Sequence, residues 1–164
     1  MKSSGRIKGA GLSLRYPAAW RVYVQPPPLK GVPKADPWTY LFSASNGDES
    51  VSVRKLHVVR AFPRSIRDSE ANWVRSTNDM HDVNGYKYTV LRASSPYKIG
   101  AARAFRVDLR LTVESTSRTG APVRVAEVTM LPSRHDVVVV TVRSPDVPGT
   151  DELLDSILGS LRPA

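Results

Sequence analysis

The chain has 164 residues, 41% hydrophobic and 24% charged, which fits about one globular domain with a sizeable core and excludes wholesale disorder. It has no cysteine, so disulfide scaffolds, thiol nucleophiles and Cys-ligated zinc or iron–sulfur sites are excluded. The net charge of +9 raises encounter rates with anionic partners without selecting among nucleic acid, lipid headgroup and acidic protein.

Residues 1–11 carry Lys2, Arg6 and Lys8 in a Gly- and Ser-containing stretch with no apolar period. A flexible basic arm is expected there, followed by a single domain over 12–164. The stretch lacks an apolar h-region and is no secretory signal. A cytoplasmic protein is expected if Met1 is the native start, and an exported or cell-envelope one if a leader was removed. Leu12, Leu14 and Tyr16 alternate with polar residues as a half-buried strand, which Pro17 stops. Trp20, Val22 and Val24 resume the alternation after a Pro turn, with Trp20 read as a core filler. Residues 25–37 hold five prolines with Lys30 and Lys34; the segment cannot donate to a ladder and is expected to project as an extended loop.

Trp38 to Ala44 alternate again, Asn46-Gly47-Asp48 supplies hairpin chemistry, and Val51 and Val53 continue the pattern. The apolar parity then shifts to Leu56 and Val58, as it does across a bulge. Ser65 followed by Asp68 resembles a capping box, and Ile66, Trp73, Val74 and Thr77 share one helical face, so a helix is expected from Ser65 to about Asp79. A turn at Asn84-Gly85 leads into a strand from Tyr86, broken at Ser94-Ser95-Pro96. Phe105, Val107, Leu109, Leu111 and Val113 alternate with Arg106, Asp108, Arg110, Thr112 and Glu114, giving one core face and one polar face. A turn at Gly120 precedes a strand over 123–131, whose parity slips near Glu127. Val137 to Val142 is apolar on both faces, which places it in the middle of a sheet; its pure apolar run, Val137 to Val140, is the longest in the chain and far short of a membrane span. Thr150 is expected to cap a last helix with the stripe Leu153, Leu154, Ile157, Leu158 and Leu161. Strands, helix, strands and helix in this order imply an antiparallel α+β sandwich.

Leu12-Ser13-Leu14-Arg15-Tyr16-Pro17-Ala18-Ala19-Trp20, with its Y-P-x-x-W turn, and the close from Val137 through Ser144-Pro145 to Ile157-Leu158-Gly159-Ser160-Leu161 resemble the PsbP/Mog-type family, which includes LpqN-type actinobacterial proteins. The middle of the chain agrees in layout only. The resemblance implies an antiparallel sheet of about six strands flanked by helices, an α/β/α sandwich, and mostly non-catalytic accessory work. The chain departs from the lipoproteins in lacking a lipobox cysteine.

Catalytic motifs are weak. Asp79, His81 and Asp82 offer three ligand-type side chains but no fourth at matching spacing, so no metal is expected. Ser95-Pro96-Tyr97-Lys98 and Ser52-Val53-Arg54-Lys55 match S-x-x-K, which needs a helix to bring lysine to serine. Gly9-Ala10-Gly11 precedes a strand rather than opening a helix, so it cannot cradle a phosphate as a dinucleotide loop does. His57 and His135 stand alone in the sequence. The reading that follows is a non-enzymatic binding or accessory protein without cofactor, working on a protein partner. Its rivals are an anion-binding module for nucleic acid or a lipid surface, and a hydrolase. The candidate interaction residues are Lys2, Arg6, Lys8, Lys30, Lys34, Arg106 and Arg110.

Overall fold

A computed structural model describes residues 4–26, 30, 38–83, 85–113 and 121–164. The described elements, in chain order, are β1 (Ser4–Gly9), β2 (Leu12–Pro17), β3 (Arg21–Val24), β4 (Thr39–Ser45), β5 (Ser50–His57), α1 (Ile66–Thr77), β6 (Tyr86–Ser94), β7 (Ala104–Val113), β8 (Val123–Met130), β9 (Asp136–Pro145), α2 (Thr150–Leu158) and β10 (Arg162–Pro163). The expected sheet of about six strands is a seven-stranded one, ordered β3-β4-β5-β9-β8-β7-β6, with a separate three-stranded sheet ordered β1-β2-β10. Every pairing is antiparallel.

Strand β9 is the middle strand, as its two-sided valine run requires. Val138, Val140 and Val142 join one core with Leu12, Leu14, Tyr16, Trp20 and the α2 residues Leu154, Ile157 and Leu158. Val137 and Val139 look the other way, toward Ile66 and Trp73 of α1. One face of the large sheet therefore carries α2 and the small sheet, and the other carries α1. Phe105, Val107, Leu109 and Leu111 are all buried on the α1 side, while Val113 is half-buried.

Several expectations are corrected. The parity changes at Leu56 and Glu127 are not bulges, because β5, β8 and β9 pair in unbroken register. They mark a switch in which sheet face the strand fills with apolar residues: Val51 and Val53 serve the α2-side core, and Leu56 serves the α1-side core. The register irregularities lie in β4 between Tyr40 and Phe42 and in β6 between Val90 and Arg92. Ser65 does cap α1, its hydroxyl accepting from Asp68 N at 3.4 Å. At α2 the cap is Gly149, at φ +92°, and Thr150 is the first helical residue. Its hydroxyl donates to Pro145 O at 2.6 Å. The turn expected at Gly120 and most of the Pro-rich segment lie outside the described residues.

The stretch expected as a mobile arm is, from Ser4 to Gly9, strand β1, paired along its length with β2. Its core-facing positions are Gly5, Ile7 and Gly9, opposite Tyr16, Leu14 and Leu12. Glycine leaves no apolar mark in a hydropathy pattern, which hides the alternation, yet it is required here: a Cβ on Gly5 would lie 2.4 Å from the Tyr16 ring. Gly5→Ala should therefore lower stability by about 1–3 kcal/mol through overpacking, read as a shift of the denaturant midpoint. A mobile arm would leave that midpoint unchanged.

Candidate binding groove

Helix α1 packs against β6 and β7 and meets β9 and β5 only where Ile66 and Trp73 pack with Val137, Val139 and Leu56, which leaves the rest of β4, β5 and β9 on that face without a helix above it. Between them lies a groove of about 560 Å³, bordered by Tyr40, Arg54, Trp73, Met80, Tyr88 and Arg143 with Glu127 on its floor. Register explains the grouping. Glu127 is opposite Thr141, and Thr141 is opposite Ser52; on the neighbouring rows Val125 faces Arg143, and Arg54 faces Tyr40. All sit on one face by the period-two rule.

Glu127 is only 8% exposed. Arg54 Nη2 donates to its Oε2 at 3.3 Å, and the Thr141 hydroxyl donates to the same oxygen at 3.4 Å. Burial pushes the Glu127 carboxyl above its ordinary pKa, against the opposing pull of Arg54, Thr141 and Arg143. The Arg54 guanidinium lies 4.4 Å from the centroid of the Trp38 ring, a cation–π contact that holds it over the sheet. Trp73 is anchored edge-on against Phe105, with centroids 6.3 Å apart. Two donors on residues that line the groove, Arg54 Nε and Trp73 Nε1, are buried without a hydrogen-bond partner among the described residues. Burial of a donor costs free energy until an acceptor arrives. Tyr40 is 45% exposed and also borders a smaller recess of about 220 Å³ with Tyr23.

The sequence candidates fall elsewhere. Lys2 and Lys34 lie outside the described residues, and Lys30 is exposed in a turn. Arg6 and Lys8 are on the outer face of β1. Arg106, expected at an interaction surface, is 8% exposed and points under α2, where it meets Asp108 at 2.8 Å and Asp155 at 2.7 Å. Although burial works against its charge, these carboxylates hold Arg106 above its ordinary pKa. Arg110 is paired with Asp146 at 2.8 Å. Arg106 is thus engaged beneath α2, while the Arg110 side chain stays 43% exposed beside Asp146.

Asp82 accepts from Tyr86 N at 3.0 Å and from the Tyr88 hydroxyl at 3.1 Å, which closes the turn into β6 and, after burial, raises the Tyr88 pKa. Asp79 lies 3.8 Å from the Lys87 ammonium. His57 and His135 do not stand alone: their rings stack at 6.0 Å, and His57 Nδ1 is 2.9 Å from Asp136. That contact, then the Ser133 hydroxyl, holds the Asp136 carboxyl below its ordinary pKa. Ser52 lies within β5, and no helix covers 95–98, so neither S-x-x-K match has the helix it needs.

The groove residues Glu127, Arg54, Tyr40, Trp73 and Arg143 escape motif reading. Their one trace in the sequence is the carboxylate that breaks the alternation begun by Val123 and Val125 on a buried face of β8. Because the raised pKa means that the folded state holds the Glu127 proton more tightly than the unfolded chain, stability attributable to this group falls as pH rises from about 4.5 to the folded value. Glu127→Gln removes that dependence. The stability difference, variant minus natural chain, should become more favourable to the variant across this window in denaturant titrations at stepped pH. A difference independent of pH would show that the carboxyl titrates alike in both states.

No protein-family model matches the chain, and no curated protein matches it. Solved structures do. The Ran-binding protein Mog1p of Saccharomyces cerevisiae is 13% identical, covers 98% of this chain and 95% of its own, and superposes with a TM-score of 0.56. A single-substitution variant of Mog1 is 12% identical over 98% of this chain and 96% of its own, with a TM-score of 0.57. LpqN of Mycobacterium tuberculosis, involved in cell envelope biogenesis, is 14% identical over 98% of this chain and 90% of its own, at 0.45. The paired sheets, the helix on each face of the larger one and this match along nearly the whole chain give the protein the Mog-like α+β fold.

Proposed function

We propose that the protein is a non-enzymatic accessory protein that holds an extended segment of a protein partner in the groove between α1 and the uncovered part of the large sheet. The observation that carries this reading is a groove of Tyr, Trp, Arg and Met side chains in which Tyr40 and Met80 stay 45% and 41% exposed. These residue types dominate the energetics of protein interfaces. An extended peptide presents a carbonyl at every residue to the exposed Arg143 guanidinium at the rim, while its side chains reach Tyr40 and Met80. The fold is shared with a protein described as Ran-binding, which supports a protein partner for this chain without naming it.

A hydrolytic reading finds less support. The one described Ser–Asp–His contact has Asp136 in the middle, 2.8 Å from the Ser133 hydroxyl and 2.9 Å from His57 Nδ1. A nucleophilic serine needs the imidazole between itself and the carboxylate, because the imidazole takes the proton.

The test uses linear peptides selected from a random display library on the intact protein. Peptides that occupy the groove should perturb amide resonances in β5 and β9, and should bind about tenfold more weakly to Tyr40→Ala and to Arg143→Ala, the loss typical of an interface anchor. Peptides that perturb only other faces, or that bind both variants as tightly as the natural chain, would overturn the proposal.

A further inference from the structure

The outer face of the small sheet carries cations that no described carboxylate neutralises. Arg6 and Arg15 are direct partners across β1 and β2. On the next row Lys8 faces Ser13, and Ser13 faces Arg162 of β10. Beyond Arg15, the Ser160 hydroxyl accepts from Arg15 N at 2.7 Å and donates to Ile157 O at 2.6 Å, tying the sheet to the end of α2. Arg162 Nη1 donates to Gly159 O and Leu161 O at 2.9 and 2.6 Å, so that guanidinium is fixed in place as well. Directly opposed residues have Cβ atoms about 4.5–5.5 Å apart, and like charges there destabilise the sheet. The opposed pair Arg6 and Arg15 therefore carries a cost that an anion would relieve.

These side chains border a recess of about 650 Å³ whose lining, among the described residues, contains Arg6, Lys8, Arg15 and Arg162, three serines besides Ser160, and no acidic side chain. Even with an α-carboxylate at Ala164, which also lines it, positive charge is in excess. The contrast with the rest of the α2 side is sharp: Arg92, Arg106, Arg110 and Arg124 are all paired with carboxylates of the same layer. Among the described residues no aromatic side chain lines the recess, which argues against a stacked nucleobase.

We infer that this recess binds a phosphate group, with Arg6 and Arg15 donating from their guanidinium forks and Lys8 adding a point charge. Guanidinium geometry matches phosphate oxygens bidentately, and serine hydroxyls at the rim can donate to the remaining oxygens. The recess lies on the opposite side of the large sheet from the groove, so the two sites can be occupied together. The phosphate can come from a soluble phosphorylated compound or from a lipid headgroup, and the same side chains serve either.

Two probes separate the sources: pyrophosphate in solution, and phosphatidylcholine vesicles with and without phosphatidic acid, both at low ionic strength. Pyrophosphate should bind saturably at one site and raise the melting temperature. Arg6→Gln and Arg15→Gln should each weaken it about tenfold, the usual loss for a charge-assisted contact, while Arg67→Gln on the exposed face of α1, which removes the same unit of charge, should change it by less than about twofold. Because each substitution removes a like-charge contact, both variants should melt no lower than the natural chain without phosphate, so lost binding is not lost fold. Vesicle binding that needs phosphatidic acid and the same two arginines assigns the headgroup; pyrophosphate binding without it assigns a soluble compound. The inference is overturned if neither probe binds saturably, if Arg67→Gln weakens binding as much as the two strand variants, or if single-stranded oligonucleotide binds more tightly than pyrophosphate with a steep salt slope.

Discussion

Two-sided burial of β9 is the constraint from which the architecture follows. Val137, Val138, Val139, Val140 and Val142 are each at most 1% exposed, and a strand alternates its side chains between faces. Each face of the large sheet must therefore carry an apolar layer. On one side α2 and the small sheet supply it, and on the other α1 with Trp38, Leu56 and Phe62. A polar substitution at Val139 would strand a side chain with no route to water, whereas the same change on β3, which has Val22 and Val24 exposed, meets solvent.

Charge is uneven along the sequence, with nine Lys and Arg against three Asp and Glu over residues 86–134 and two against five over residues 136–164, and this has an internal explanation. The strands β7 and β8 belong to a basic part of the chain, and α2 with the loop before it to an acidic one. Folding brings these together: Asp108 accepts from Arg92 and Arg106, Asp155 meets Arg106, Asp146 meets Arg110, and Asp151 meets Arg124 at 2.7 Å. Asp108 is 1% exposed, so removing one partner would leave a buried carboxylate undercompensated, which is far more costly than the net worth of the pair. What such a network supplies is orientation: Asp151 and Asp155 tie α2 to Arg124, Arg106 and Arg92, and Asp146 ties the segment before α2 to Arg110. Most positive charge on the α2 side is cancelled from within, which makes the uncompensated cluster around Arg6 and Arg15 stand apart from a general basic surface.

Much of the fold was legible because burial writes itself into the sequence as period. The alternation from Phe105 to Leu111, the two-sided run of β9 and the stripe of α2 each identify an element and the layer it faces. Four things were not legible, for physical reasons. Strand β1 packs through glycine against Tyr16, so its inner face has no hydrophobic side chain at two of three positions. Leu56 and Glu127 break parity because the sheet is covered on both faces, and a single-faced pattern does not apply. Arg106 looks like surface because arginine usually is; its carboxylate partners are Asp108, two residues away, and Asp155, far along the chain. The groove is hidden for a related reason: Tyr40, Arg54, Trp73, Glu127 and Arg143 come from five elements, and only the register of β4, β5, β8 and β9 makes them neighbours.

Geometry also explains why a groove exists on the α1 side. Seven strands at about 4.8 Å spacing are roughly 29 Å across, whereas one helix with its side chains is about 10–12 Å wide. A single helix can cover two or three strands, and α1 lies over β6 and β7. On the opposite face α2 is joined by the small sheet, and the two together close the layer. The asymmetry leaves the α1 face with a shoulder where sheet meets helix, and sheet residues there are mostly small or polar: Ser43, Ser50, Ser52 and Thr141 are half-buried. An apolar set at these positions would be an aggregation hazard on an uncovered sheet. Serine and threonine keep the face wettable, and the long side chains of Arg54, Arg143 and Tyr40 stand above them as the features a partner can grip.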